Sequence, residues 1–113
     1  MPQNSILTKS PPYAVDAAVK ALGRNLRTAR LRRNMTISEA AERIGSGVRA
    51  VRDAEYGKPT TAVAVYFALM WVYDLLPEAD GLAGPDSDAE GKRLISLREP
   101  ERAYSRRIMD NDF

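Results

Sequence analysis

The stretch from Thr36 to Gly57, TISEAAERIGSGVRAVRDAEYG, decides the fold. Thr36 with Glu39 three residues later is a capping box, each side chain satisfying an orphan backbone donor of the other. It predicts a helix over about Ile37 to Ile44, with Ala40, Ala41 and Ile44 on one face. Gly45 can take a positive φ and end that helix. Ser46 or Gly47 can cap a second helix, about Gly47 to Tyr56, in which Val51 and Ala54 form an apolar stripe beside Arg49 and Arg52. Gly57 closes it and Pro59 prevents continuation. Two short helices joined by a glycine-containing turn are what a helix-turn-helix requires, with the small Ala41 allowing close approach. The second helix of such a pair presents its outer face to a groove of DNA.

Upstream, a helix is expected from Asp16 to about Arg33. Its core stripe is Leu22, Leu26 and Ala29, at i, i+4 and i+7. Asn34 stops it, and Met35 is expected to pack under the motif. Residues 1–15 contain Pro2, Pro11 and Pro12 and no periodicity, which predicts a flexible arm. Downstream, Thr60 or Thr61 is expected to cap a helix running to about Leu76. Its sequence, AVAVYFALMWVYDLL, is apolar nearly all round, and such a helix must be covered on every side. Tyr66, Phe67, Met70, Trp71 and Tyr73 are therefore expected at a homodimer interface, where aromatic residues and methionine are enriched. Residues 77–88, PEADGLAGPDSD, read as a linker. Ser87 or Asp88 can cap a short helix of about 89–97, and the tail to Phe113 is expected to fray. The organisation expected is all-α: an arm over 1–15, a helix-turn-helix domain over 16–76, and a linker, short helix and tail over 77–113.

Composition narrows the chemistry. The 113 residues leave room for one domain, and a core that small gains from burial in a dimer. Cysteine and histidine are both absent. That removes disulfides, thiolate metal sites, the commonest metal ligand and the usual neutral-pH general base. No apolar run reaches the length of a membrane span, and the N-terminus lacks the pattern of a signal peptide, so a cytoplasmic location is expected. The net charge of +2 hides a polarity. From Lys20 to Lys58 ten basic residues face four acidic ones, a surplus of six, whereas Asp74 to Glu90 carries six acids and no base. A basic segment coinciding with a helix-turn-helix is the electrostatic footprint expected for phosphate binding.

From Leu22 to about Leu76 the chain resembles the XRE family of lambda-repressor-like helix-turn-helix proteins. The matching runs are LGRNLRTARLRRNMT, AAERIG and VRDAEYGK. The apolar helix, the acidic linker and the late LREPERAYSRR resemble its HipB-like antitoxin branch. The resemblance implies a five-helix, lambda-repressor-like domain, binding of double-stranded DNA, autoregulation, and a kinase-like HipA toxin as partner. In that branch a C-terminal tail can engage the toxin, which makes Ile108, Met109 and Phe113 possible anchors.

The candidate DNA contacts follow from this arrangement. The N-terminus of the first motif helix, at Thr36, offers N–H groups and positive dipole to a phosphate. Gly47, Val48, Arg49, Ala50 and Arg52 face the groove; Arg49 or Arg52 can bond bidentately to guanine, and Val48 and Ala50 can meet thymine methyls. Arg27, Arg30, Arg33 and Lys58 are assigned to flanking phosphates. Relatives often carry glutamine where this chain has Ile37, and a base where it has Asp53. Asp53 either pairs with Arg49 or costs affinity. Enzyme readings lack support: no second domain of self-cleaving type fits in this length. The Asp86, Asp88 and Glu90 run resembles the start of a calcium loop, but Leu97 stands where such a loop needs glutamate. No cofactor is implied. The competing reading is a protein-interaction module with little DNA affinity of its own.

Overall fold

A computed structural model describes residues 5–98 of the chain. Residues 1–4 of the expected arm, and the tail with Ile108, Met109 and Phe113, lie outside the described residues. The fold is all-helical. Its order is α1 (Ile6–Lys9), α2 (Tyr13–Arg32), α3 (Ile37–Ile44), α4 (Val48–Tyr56), α5 (Val63–Val72), a 3-10 turn at Leu76–Gly81, another at Pro85–Ser87, and α6 over 89–98. The chain divides into two compact units, Met1–Ala79 and Asp80–Phe113.

Local signals in the motif act as their chemistry dictates. The Thr36 hydroxyl accepts from the Glu39 N–H at 3.0 Å, and the Glu39 carboxylate accepts from the Thr36 N–H at 2.8 Å. Gly45 ends α3 at φ 71°, and Gly57 ends α4 at the same φ. Gly47, not Ser46, is the N-cap residue of α4. In the second unit Asp88, not Ser87, caps α6, its carboxylate accepting from the Gly91 N–H at 2.9 Å.

Three boundaries differ from expectation. The arm is not unstructured through residue 15. Ser5 caps the short α1, and α2 begins at Tyr13 behind Pro12. A proline at the cap loses nothing, because its missing N–H would have had no helical partner there. Asp16 is therefore in the first turn of α2, where its charge suits the helix dipole, and it pairs with Lys20 at 2.7 Å. The α-helices of the first unit among the described residues are thus α1–α5, with α1 and the first three residues of α2 lying ahead of 16–76. Finally, α5 starts behind Ala62 rather than a threonine and stops at Val72. Asp74 turns left-handed at φ 61°, and the Leu75 N–H returns to the Met70 carbonyl at 2.7 Å. That geometry terminates a helix and diverts Leu75 and Leu76 from its axis.

The core of the first unit collects Leu26 and Ala29 from α2, Met35 from the turn after it, Ala40 and Ala41 from α3, Val51 and Ala54 from α4, and Tyr66, Leu69 and Met70 from α5, with Tyr73 beyond it. Helices α2 and α4 approach closely at Gly23 on α2. A Cβ there would stand 2.5 Å from the Ala54 carbonyl oxygen and 2.6 Å from that of Glu55.

Candidate nucleic-acid interface

The short α3, the Gly45–Gly47 turn and α4 place two features side by side: a capped helix N-terminus and the outer face of a second helix. On α4 a 3.6-residue period turns Val51, Ala54 and Glu55 inward and Arg49, Arg52 and Tyr56 outward. Arg49 is wide open, with 85% of its side chain exposed. Arg52 lines one shallow depression with Thr36, Ile37, Ser38 and Val48, and a second with Arg27, Ile37 and Tyr56. The Ile37 and Ser38 amides, first in α3, have no carbonyl a turn behind them to bond, so this end carries free donors and positive dipole beside the Arg52 guanidinium. Thr36, Gly47, Arg49, Arg52 and Arg27 are exposed, while Val48 and Ala50 are half-buried.

Asp53 tempers this surface. Its carboxylate lies 3.9 Å from Arg49 and 3.6 Å from Lys58. Both are long pairs from a half-buried carboxylate to exposed cations, and contacts of that length contribute little and are easily exchanged. The expected Arg49–Asp53 pairing is present, and Lys58 shares the acid.

Of the assigned phosphate contacts, Arg30 is buried, and Arg33, though exposed, is engaged within its own chain. Arg30 is buried: its Nε donates to Glu55 Oε2 at 2.6 Å, its Nη2 to Glu55 Oε1 at 3.0 Å, and its Nη1 to the Met35 carbonyl at 3.0 Å. The Glu55 hydrogen bond raises the Arg30 pKa above its ordinary value, against the opposing effect of burial. Arg30 therefore braces α2 against α4 instead of reaching outward. Arg33 donates to the Ala29 carbonyl at 2.9 Å and the Tyr73 carbonyl at 2.8 Å, and its guanidinium lies 5.6 Å from the Tyr73 ring centroid. It closes the ends of α2 and α5 together, within reach of a cation–π contact.

The expected dimer face also needs correction. Tyr66, Met70 and Tyr73 are buried in the core of their own chain. A helix apolar on all sides carries no phase, so the spacing cannot say which aromatics turn inward. Phe67 is half-buried, and Trp71 is 61% exposed, as is much of Val63 one turn before Phe67. Burial also raises the Tyr73 phenol pKa, and among the described residues its hydroxyl has no hydrogen-bond partner.

Sequence reasoning missed Glu55 as the anchor of Arg30 and Tyr56 as part of the outer face of α4. The second was available, since Tyr56 follows Arg49 and Arg52 at helical spacing. Among the described residues no group of acidic side chains could hold a metal ion, and no helix is long and apolar enough to cross a membrane. Comparison with protein-family models, with curated proteins and with solved structures returns no significant match.

Proposed function

We propose that the chain is a sequence-specific, double-stranded-DNA-binding repressor of lambda-repressor-like, XRE-family type that acts as a homodimer. The observation carrying this reading is the shared depression in which Arg52 of α4 meets the N-terminus of α3 at Thr36, Ile37 and Ser38. A cation, free backbone donors and a helix dipole lie together there, as an anion site needs, and Arg49 projects from the same helix, where it would be free to meet bases. Arg27, on the neighbouring α2, extends the cationic edge. Two copies would set recognition helices in successive major grooves of a roughly palindromic operator, with half-sites about 34–36 Å apart. The resemblance to HipB-like antitoxins supports autoregulation together with a HipA-like kinase toxin, and a cytoplasmic site of action.

Fluorescence anisotropy of the chain against its own upstream DNA, at two salt concentrations, tests the reading. Expected is tight binding that beats scrambled DNA and weakens steeply with salt, because phosphate contacts release counterions. Equal, weak binding to both DNAs refutes it. The second reading, an interaction module without DNA affinity of its own, is favoured by Asp53 standing between Arg49 and Lys58. Binding of a protein partner through an apolar surface would barely change with salt.

A further inference from the structure

Two arginines lie over a floor that is already neutral. Arg27 stands one turn before Arg30 on α2, and Arg52 one turn before Glu55 on α4. Because Arg30 and Glu55 are bonded to each other, the two earlier residues fall on either side of one depression of about 220 Å³. Ile37, the first residue of α3, and Tyr56, four residues after Arg52, complete its wall. Of the two depressions that Arg52 lines, this is the more enclosed.

Its lining is chemically uneven. Both Glu55 carboxylate oxygens accept from Arg30, so the floor pair carries no net charge. Among the described residues neither Arg27 nor Arg52 forms an ion pair, which leaves two guanidiniums above that floor without an acid. Beside them are the half-buried side chain of Ile37 and the ring of Tyr56, most of which is open to solvent. A bare phosphate would use the cations and leave both of those apolar surfaces wet. Pockets for drug-sized molecules begin at about 300 Å³, so this volume takes one ring and not two.

We propose that this depression binds a small aromatic carboxylate, one ring bearing one acid group, and that the bound acid displaces DNA. The carboxylate accepts charge-assisted hydrogen bonds, one oxygen to each of Arg27 and Arg52. The ring lies between Tyr56 and Ile37, where offset stacking adds to apolar burial. The Arg30–Glu55 fork beneath, with the close approach at Gly23, holds α2 and α4 at a fixed spacing, so binding needs little ordering. Binding stands on the depression alone. Its effect on DNA rests on the repressor reading above, in which the same two arginines meet phosphates.

Two-dimensional NMR of the full chain, titrated with sodium benzoate at constant ionic strength, tests the site. Saturable shifts are expected at the amides of Arg27, Ile37, Arg52 and Tyr56, with a Kd in the millimolar range. Acetate has the acid without the ring, and inorganic phosphate the charge without it. Each is expected to bind at least about tenfold more weakly than benzoate. Arg27→Ala and Arg52→Ala are each expected to weaken benzoate about tenfold, and Tyr56→Ala to bring it down to the level of acetate. All three positions are exposed, so the variants keep the fold. Shifts that do not saturate, benzoate no tighter than acetate or phosphate, or affinity indifferent to both arginine variants overturns the site. DNA anisotropy is then read with benzoate at about ten times its Kd, where full competition weakens DNA binding about tenfold. DNA affinity that holds at saturating benzoate overturns the displacement. A wild type that binds no DNA overturns the repressor reading and the displacement with it, while the benzoate titration still decides the site.

Discussion

Arg30 of α2 and Glu55 of α4 meet as a fork on a fork, through hydrogen bonds of 2.6 and 3.0 Å, with 8% and 6% of their side chains exposed. The pair fixes the helix that would read DNA against the long helix behind it. Two-point contact between planar groups specifies orientation as well as distance. The third donor of Arg30, to the Met35 carbonyl, ties in the segment just before the motif.

Truncating Glu55 leaves a guanidinium buried without its acid, a change that typically costs about 3–5 kcal/mol. Glu55→Ala is therefore expected to lower the urea midpoint strongly, or to unfold a domain this small. The double variant Arg30→Met/Glu55→Leu removes both charges and is expected to recover most of the loss. A Glu55→Ala midpoint within error of wild type refutes the bracing role.

Gly23 tests the same contact from the backbone side. Its Cα faces the Ala54 and Glu55 carbonyls so closely that any side chain would drive α2 off α4. Alanine is ordinarily the better helix former, by up to about 1 kcal/mol. Here Gly23→Ala is expected to reverse that sign and destabilise by about 1–3 kcal/mol, the cost of forcing atoms into a packed contact. Thermal melting decides: a raised Tm would mean that the two helices separate freely.

The capping box gives a pH dependence of known direction. The Glu39 carboxyl is held below its ordinary pKa of 4.5, chiefly because it accepts the Thr36 N–H and, next, through its bond with the Thr36 side chain. A group whose pKa is depressed by folding contributes stability above its unfolded pKa and loses it as pH falls through the folded value. Wild-type Tm is therefore expected to fall on acidification below about pH 4.5 more steeply than that of Glu39→Gln, which can still cap but cannot titrate. Thr36→Ala is expected to cost about 1 kcal/mol at every pH. Parallel pH profiles for wild type and Glu39→Gln would remove Glu39 from the account.

What could be read from the residues in advance is what is local. Thr36, Glu39, Gly45 and Gly57 act within a turn of themselves, so spacing and residue type suffice. Arg30 and Glu55 are 25 positions apart, so although Arg30 sits four residues from Leu26 on the buried side of α2 and Arg27 does not, nothing local names the acid it would meet. The Ala62 start of α5 has no side-chain cap to announce it. On α5 itself the uniform apolarity hid that Tyr66 and Met70 turn inward while Trp71 turns out. Spacing sufficed for the outward turn of Arg49 and Arg52, and failed at Arg30, where a long side chain folds back.

That division between outward and inward arginines makes the DNA reading divisible too. Arg52 and Arg27 reach solvent beside the α3 N-terminus, so each is expected to contribute a phosphate contact. Arg52→Ala should weaken binding to all sequences alike and lower the slope of log affinity against log salt by about 1. Arg49→Ala, from the groove-facing side of the same helix, should instead relax preference at one base pair by about 1–3 kcal/mol. Arg30→Met/Glu55→Leu should leave the salt slope at its wild-type value, because the Arg30 guanidinium is committed to Glu55 and the Met35 carbonyl, provided the domain stays folded. A slope that drops with the Arg30 pair and not with Arg52 would mean that α4 swings on binding and that the buried fork opens to DNA.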